Sequence, residues 1–346
     1  MLHRDWWVHG YVAAIGILAA VLGFASGYWL CLLFAGVLLS LLALNLVFLQ
    51  WSVFPYDRIL SASSDDGLSW DRDEGVRLDV GGLIASSQVY YPKLFPTAEG
   101  LRMYYRGGGD DSVILSAFSN DGLRWREEPG ERVGLRGRFV RLGSSEMVAL
   151  PHGYRIYFAA DDGERWKIYR AESPDGLNWG VETCCIDGGP NDLPHVKDPS
   201  IVKSQGRYRM FFMRFSASET HIYTSVSSDG LQWAEMECCQ GLTGAQTAFV
   251  RTPNVVPLED GNWRMYFAET TGASALGSRI ASAVSSDGLR WRREEGIRLH
   301  PGGELDGQGV FCPEVVRIGD RWKMYYGGYW NKHWLAPYTL FRHRLR

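Results

Sequence analysis

The distribution of apolar and polar residues divides the chain into two parts. From Trp6 to Tyr56 there is no Asp, Glu, Lys or Arg. One straight helix over this stretch would be about 75 Å long, against a hydrocarbon core of about 30 Å. The pattern therefore predicts two transmembrane helices, at 6–25 and 28–49, which form a hairpin domain of residues 1–56.

The residues that flank these apolar runs suggest an orientation. A cleaved signal peptide is the alternative, but a second and longer apolar run follows the first, which disfavours cleavage. Arg4 and Arg58 lie outside the predicted spans, and the turn between the two spans carries no charge. The positive-inside rule therefore favours a cytoplasmic position for the large domain. We predict an integral protein of the bacterial inner membrane, in contact with membrane lipid.

His9 lies within the first apolar run. An ionisable residue inside a membrane is a functional candidate by default, here as a ligand to a bound pigment or porphyrin. Its position beside Trp6 and Trp7 favours the alternative, a histidine at the level of the lipid headgroups. No other cofactor is predicted.

The rest of the chain, 57–346, contains a repeat. The pattern S-x-D-G-L-x-W occurs five times, ending at Trp70, Trp125, Trp179, Trp233 and Trp291. Before most copies stand a short apolar strand, a glycine turn, a strand reading R-M-Y-Y or similar, and a third alternating strand; a fourth strand is expected to begin at the Trp. Four strands in about 50 residues are typical of a propeller blade.

The sequence therefore predicts an all-β fold for 57–346, a five-bladed β-propeller of four-stranded antiparallel blades, preceded by two transmembrane α-helices. The first motif, at 64–70, has no strands of its own before it, so we expect the N-terminal strand to complete the last blade and close the ring. The motif itself is interpreted as a turn: Asp accepts backbone N–H groups, Gly adopts positive φ, and Leu and Trp pack between blades.

Charge and cysteine content limit the partners. Lys and Arg number 36 against 39 Asp and Glu, a net charge of −3. Because both signs are scattered along the chain, no basic stripe exists for a phosphate backbone, and nucleic acid is not a predicted partner. Cys184–Cys185 and Cys238–Cys239 occupy equivalent places in adjacent repeats, but adjacent cysteines lack the usual spacing of a zinc site, and no metal is predicted.

The five repeats, the S-x-D-G-L-x-W hairpin and the segment Lys197-Asp198-Pro199-Ser200-Ile201 together resemble the five-bladed glycosidase superfamily of arabinanases, invertases, levansucrases and mannoside phosphorylases. The resemblance implies a site on the ring axis, to which the first strands of successive blades deliver acidic residues. Glycoside cleavage uses one carboxyl to protonate the leaving oxygen and another to activate water or attack the sugar.

The acidic pattern of that superfamily is incomplete here. We align the first strands as Tyr91-Pro92-Lys93, Ser144-Ser145-Glu146, Asp198-Pro199-Ser200, Thr252-Pro253-Asn254 and Cys312-Pro313-Glu314. Only Asp198 stands where the superfamily has its aspartate, and Ser200 replaces the phosphate-binding Arg of the phosphorylases. The candidate catalytic residues are Asp198, Glu314 and Glu146. In the alternative interpretation, which the incomplete pattern favours, Asp198 is a turn or strand-cap residue and Lys93 neutralises an axial acid.

Two functions follow from these observations. The first is a catalytically degenerate propeller that serves as an accessory or scaffold subunit of a larger membrane complex, such as a respiratory, photosynthetic or export complex, with membrane-protein subunits as partners. The second is a membrane-bound glycoside hydrolase or glycosyl-transferring enzyme that acts on an envelope glycan through axial carboxylates. The broken acid pattern favours the first function.

Overall fold

The computed structural model describes residues 56–330, apart from 82–87, 109–111, 245–246, 248 and 272–275. All regular secondary structure among these residues is β-strand. The strands form five four-stranded antiparallel sheets, which are the blades of a propeller. The predicted all-β, five-bladed architecture is confirmed.

Blades 1 to 4 each use four consecutive strands, and blade 5 combines the two ends of the described chain. Blade 1 contains β3 (Val89–Thr97), β4 (Gly100–Gly107), β5 (Val113–Ser119) and β6 (Arg126–Glu127), and blade 2 contains β7 (Arg141–Leu150), β8 (Gly153–Asp161), β9 (Trp166–Ser173) and β10 (Thr183–Ile186). Blade 3 contains β11 (His195–Ser204), β12 (Arg207–Phe215), β13 (Thr220–Ser227) and β14 (Glu237–Cys238). Blade 4 contains β15 (Phe249–Pro257), β16 (Trp263–Thr270), β17 (Arg279–Ser285) and β18 (Arg292–Arg293). Blade 5 contains β19 (Gly309–Ile318), β20 (Arg321–Trp330), β1 (Tyr56–Ser64) and β2 (Asp71–Arg72).

Blade 5 closes the ring as the sequence predicts. Strand β1 pairs with β20 from Tyr56 opposite Trp330 to Ser64 opposite Trp322. Because the N-terminal strand is held inside a sheet built from the C-terminal end, the blade cannot open without breaking this ladder.

The core lies between neighbouring blades. In β4, the consecutive residues Met103 and Tyr104 are 0% and 1% exposed. Successive side chains of a strand point to opposite faces, so both faces of the blade are covered. This explains why the second strands read as continuous apolar runs: each is packed between two adjacent blades.

The repeated motif forms the outer hairpin between the third and fourth strands. In the first copy, Asp66 Oδ1 accepts the backbone N–H groups of Leu68 and Ser69 at 2.7 and 2.8 Å. Gly67 has a φ of 72°, in the left-handed region that glycine adopts without strain. The predicted turn chemistry is confirmed.

Each hairpin also contacts the preceding blade. The Tyr266 hydroxyl of blade 4 donates to the Gly67 carbonyl of blade 5 at 2.8 Å, and Trp70 packs edge-on against the same tyrosine. The same hydroxyl-to-carbonyl bond recurs in three other blades, as Tyr104–Gly176, Tyr157–Gly230 and Tyr325–Gly122. In blade 3 the residue equivalent to these tyrosines is Phe211. It packs edge-on against Trp291 but has no hydroxyl to donate.

Two details of the prediction are wrong. The motif leucine does not pack between blades in every copy, because Leu123 is 40% exposed at the edge of its turn. The fourth strands do not begin at the Trp: β2 follows Trp70 directly, whereas β10 begins only at Thr183, after Trp179. In both of these blades the tryptophan belongs to the turn, and strand pairing begins only after it.

The predicted helices at 6–25 and 28–49, with His9, lie outside the described residues, as does the segment 331–346. Within the part of the chain that the structure describes, no helix is long and apolar enough to cross a membrane.

Candidate functional site

A β-bulge interrupts the first strand of every blade. In β11 the pairing with β12 jumps from Lys197 to Ser200, so Asp198 and Pro199 together face one residue of the partner. Four bulge residues adopt left-handed φ without being glycine: Tyr91 (58°), Asp198 (58°), Thr252 (50°) and Cys312 (52°), each followed by Pro. Such strained positions cost free energy and cluster at functional sites, where they re-aim side chains.

Blade 2 forms its bulge one residue earlier than the other blades, and without proline. Its ladder jumps from Leu142 to Ser145, so Gly143 and Ser144 form the bulge. The register agrees again at Glu146, which lies opposite Tyr157 as Lys93 lies opposite Tyr104 and Glu314 opposite Tyr325. Glu146 therefore keeps the position that the sequence alignment gives it.

The bulges arrange the axis in two layers. We call the five residues that surround a narrow gap on the axis the pocket layer; they are Tyr91, Ser144, Asp198, Thr252 and Cys312. We call the residues two positions later the axial layer; they are Lys93, Glu146, Ser200, Asn254 and Glu314. Between the layers only a gap of about 10 Å³ remains.

Lys93 holds the axial layer together. Its Nζ lies 2.9 Å from Glu314 Oε2 and 3.3 Å from Glu146 Oε2. Glu314 also accepts the Asn254 amide at 2.7 Å and the Leu94 backbone N–H at 3.1 Å. Both carboxyl oxygens of Glu314 are thus occupied by donors, which come from blades 1 and 4.

The charges of this network are buried. Burial disfavours the ammonium of Lys93, but Glu146 and Glu314 outweigh it and raise its pKa above the usual range. Burial raises the pKa of Glu314 to about 7, with Lys93 opposing the rise. Lys93 therefore neutralises axial acids, as the alternative interpretation of the sequence expected.

Asp198 lies above this layer, at the base of a cavity of about 370 Å³. Its carboxylate is 3% exposed, and Oδ1 accepts the Ser144 hydroxyl at 2.8 Å. The cavity is at the end of the ring where the first strands begin. Tyr90, Tyr91 and Phe311 stand in its walls.

The structure brings Glu146 and Glu314 together but separates them from Asp198 by one layer. Other acids that follow second strands are paired elsewhere: Asp161 with Arg141, Asp162 with Lys167, and Glu269 with both Arg279 and Arg293. Asp110 lies outside the described residues. Asp198 is the one carboxylate among the described residues that line the cavity.

The structure adds residues that the sequence did not indicate. Lys197 and Arg251 line the cavity beside Asp198. Asp57, at the start of β1, is 3% exposed, and burial raises its pKa to about 7, against the effect of Arg106. The sequence shows that Lys197 is adjacent to Asp198. It does not show that both residues line a cavity, because the cavity is formed by residues of several blades.

Cysteines and metals do not contribute a site in the described part of the chain. The five cysteines there are free thiols, with Cys239 and Cys312 buried. Burial raises the pKa of the Cys312 thiol well above its usual range, which keeps it protonated beside the narrow gap on the axis. No group of His, Cys, Asp and Glu among the described residues has the arrangement of a metal site.

Comparison with known proteins gives matches in structure alone. The sequence matches no family profile and no curated relative. A glycosyl hydrolase from Bacteroides ovatus superposes with a TM-score of 0.57 at 15% identity, over 71% of this chain and 82% of the other. An α-L-arabinofuranosidase from Lactobacillus brevis gives 0.54 at 13% identity, over 70% and 82%.

A third match comes from work on the GH130 mannoside phosphorylases, which describes glycoside hydrolases that target β-1,2 mannosidic linkages in Candida mannan. It has a TM-score of 0.57 at 14% identity, over 72% of this chain and 86% of the other. Identities this low establish a shared architecture and no more. The described domain is a five-bladed propeller of the kind found in glycoside hydrolases.

Proposed function

We propose that this protein binds a glycan in the axial cavity and hydrolyses a glycosidic bond there, with Asp198 as the carboxylate that acts at the sugar. The observation that carries the proposal is the position of Asp198, on a strained bulge at the base of the cavity. The architecture shared with glycosidases supports this function over that of an accessory subunit.

The cavity has suitable dimensions and walls. Its volume of about 370 Å³ falls within the range of roughly 300–1,000 Å³ typical of ligand pockets. Aromatic side chains, among them Phe215, Phe249 and Tyr329, line it. Their flat faces can stack on the C–H faces of a sugar ring, while tyrosine hydroxyls offer hydrogen bonds.

Hydrolysis needs a second carboxyl group besides Asp198. Glu146 and Glu314 are bound to Lys93 in the layer below. Asp57 is not itself a lining residue, but it lies at the same end of the ring and pairs in the β1–β20 ladder with Tyr329, which lines the cavity. A carboxyl whose pKa is about 7 is protonated near neutral pH, which is what a general acid requires. We assign Asp57 as the residue to test for this role.

The test is hydrolysis of a glycan library by the purified full chain, with products identified by mass spectrometry. Asp198→Asn keeps an acceptor for Ser144 and should lower the rate on the order of 10²-fold or more while glycan binding persists. Asp57→Asn should lower the rate for bonds with poor leaving groups more than for activated aryl glycosides. Glu219→Gln is the control, because Glu219 lies in the adjacent rim segment outside the cavity lining.

A second function is glycan binding without hydrolysis. The observation that favours it is the Lys93 network, which occupies two of the three predicted catalytic acids. Wild-type protein that binds a glycan and releases no product would establish this second function. An Asp198→Asn rate within threefold of wild type would remove Asp198 from the mechanism.

Membrane attachment, a cytoplasmic orientation and a role in a larger complex stay predictions. They depend on 1–55 and 331–346, which lie outside the described residues. Isolation from membranes in mild detergent, with partners and visible absorbance recorded, tests them and the pigment prediction for His9 together.

A further inference from the structure

The cavity has an excess of positive charge. Lys197 and Arg251 line it, and Asp198 is the one carboxylate among the described lining residues. Lys197 and Arg251 each stand directly before the bulge, in β11 and β15 of adjacent blades. Equivalent positions in neighbouring blades place the two cations on adjacent walls, with Asp198 next to Lys197 in the chain.

Lys197 is held by aromatic rings. Its Nζ lies 4.2 Å from the centroid of Trp166, 5.8 Å from that of Tyr91 and 5.9 Å from that of Phe215. We call these three rings the Lys197 cage. Among the described residues no carboxylate forms an ion pair with this ammonium, although Lys93 and Lys167 each have two or more.

This arrangement is costly without a ligand. Burial lowers the pKa of Lys197, with Asp198 opposing the effect, because the ammonium has lost water. Aromatic faces attract a cation, but they accept none of its three N–H bonds in the way that an anion does. An ammonium that lines a cavity and makes no ion pair with a described carboxylate is therefore ready to bind an anionic ligand.

Arg251 supplies a complementary group. Its guanidinium carbon lies 4.9 Å from the centroid of the Phe249 ring, and both residues line the cavity. A planar guanidinium binds a carboxylate through two parallel N–H bonds, and a lysine adds a point charge beside it.

We propose that the glycan taken by this cavity carries a carboxylate, as in a uronic acid, and that Lys197 and Arg251 bind that group. The proposal rests on the proposed glycan-binding function and specifies its substrate class. The acidic sugar is oriented so that its carboxylate meets the two cations, while Asp198 faces another part of the ring.

The experiment measures binding of the full chain by calorimetry to uronic acid oligosaccharides, such as oligogalacturonate, oligomannuronate and glucuronoxylan fragments. Each is compared with the same oligosaccharide after its carboxyl groups have been reduced to primary alcohols. We expect at least one acidic oligosaccharide to bind about tenfold more tightly than its reduced counterpart, since charge-assisted hydrogen bonds are roughly twice as strong as neutral ones.

Variants identify the residues responsible. Lys197→Met and Arg251→Met should each weaken binding of the acidic oligosaccharide about tenfold and leave the reduced one within twofold. Lys197→Arg keeps the charge and should retain much of the preference. Lys203→Met is the matched control, because Lys203 lies in the same strand and also stacks on an aromatic ring, Tyr208 at 5.2 Å, but is outside the cavity lining.

The outcomes separate the two proposals. Equal binding of the acidic and reduced forms overturns the acidic substrate and leaves glycan binding intact. A preference for acidic sugars that Lys197→Met and Arg251→Met do not change overturns the assignment of these residues; thermal unfolding checks that both variants fold. If neither these oligosaccharides nor the neutral library binds, the proposed function fails and this inference fails with it.

Discussion

The outer hairpins and the ring axis arise from the same repeated unit, yet they have diverged to different degrees. At the periphery the motif glycines have φ values of 70° to 73° in all five copies. At the axis the five equivalent residues of the axial layer are Lys93, Glu146, Ser200, Asn254 and Glu314, which differ in charge and size. The hairpin has one task, to join adjacent blades, whereas each axial position meets a different set of neighbours.

The comparison predicts that changes at the axis destabilise the fold most. Lys93→Met leaves Glu314 and Glu146 buried without their cation, which should cost about 3–5 kcal/mol in the free energy of unfolding. The measurement is urea denaturation at pH 7.5. The peripheral control is Lys323→Met, because Lys323 pairs with Asp73 at 3.1 Å near a hairpin.

We expect the control to cost about 1 kcal/mol or less, as for other partly exposed pairs. Adding Glu314→Gln to Lys93→Met should recover part of the lost stability, since the uncompensated charge is removed. Equal losses in the free energy of unfolding for Lys93→Met and Lys323→Met would mean that substitutions at the axis destabilise the fold no more than substitutions at the periphery.

A glycine substitution measures the tolerance of the hairpin. In Gly122→Ala the new Cβ would lie 2.6 Å from the Tyr325 hydroxyl, at a φ of 70°. We expect a loss of about 2–3 kcal/mol, from left-handed strain and displacement of the tyrosine. Gly137→Ala is matched in φ, at 69°, and meets nothing within 4 Å, so it reports the strain alone, about 1 kcal/mol. Similar losses for both alanines would show that the contact between blades adds nothing.

The hydroxyl itself has a smaller effect. Tyr325→Phe removes the 2.7 Å bond to the Gly122 carbonyl and should cost about 1 kcal/mol. The same change at Tyr104 or Tyr266 should cost a similar amount, because the contact repeats. Blade 3 already has Phe211 at this place, so the ring tolerates the loss once. A cost confined to one blade would show that the hairpins are not equivalent.

Acid sensitivity is the smallest expected effect. Backbone N–H groups of Ser69 and Leu68 lower the pKa of Asp66 to about 2, and the pKa values of the other four motif aspartates are also lowered. A depressed carboxyl contributes stability that is present above its unfolded pKa, about 3.9, and is lost as the pH falls through the folded value.

The urea concentration at the unfolding midpoint should therefore decrease as the pH is lowered from about 4 to about 2. In Asp66→Asn this decrease should be slightly smaller. The effect per hairpin is small because these carboxylates are exposed. Asp71→Asn, in the adjacent strand β2, is the control. An identical pH profile for wild type and Asp66→Asn would contradict this account.

The same difference explains what the sequence could predict. The hairpin occurs five times, so each copy confirms the others, and its turn chemistry depends on residues within a few positions. The axial positions do not repeat one residue type, so no copy confirms another. Glu146 was nevertheless aligned with Lys93 and Glu314 correctly, although Ser145 replaces the proline of the other blades, because the second strand of the blade indicates the register. Asp198 and the neutralising role of Lys93 were recognisable because both stand beside Pro in the repeated strand.

The Lys197 cage could not be predicted from local sequence patterns. Its rings come from blade 1 as Tyr91, blade 2 as Trp166 and blade 3 as Phe215. No spacing in the sequence marks these residues as neighbours, since the closed ring brings them together. The charge of the cavity is therefore a property of the assembled blades and not of any one repeat.

The closing ladder also determines how the domain responds to force. Tyr56 lies opposite Trp330 at one end of the antiparallel β1–β20 pair. Pulling these two residues apart loads the backbone bonds one after another, like a zipper, because the load enters at the end of the ladder and runs across the strands. A single-molecule stretching experiment through residues 56 and 330 should show β1 peeling away first, at low tension. The β1–β20 ladder, which closes the ring, is thus the strand pair that we expect to separate first under mechanical load.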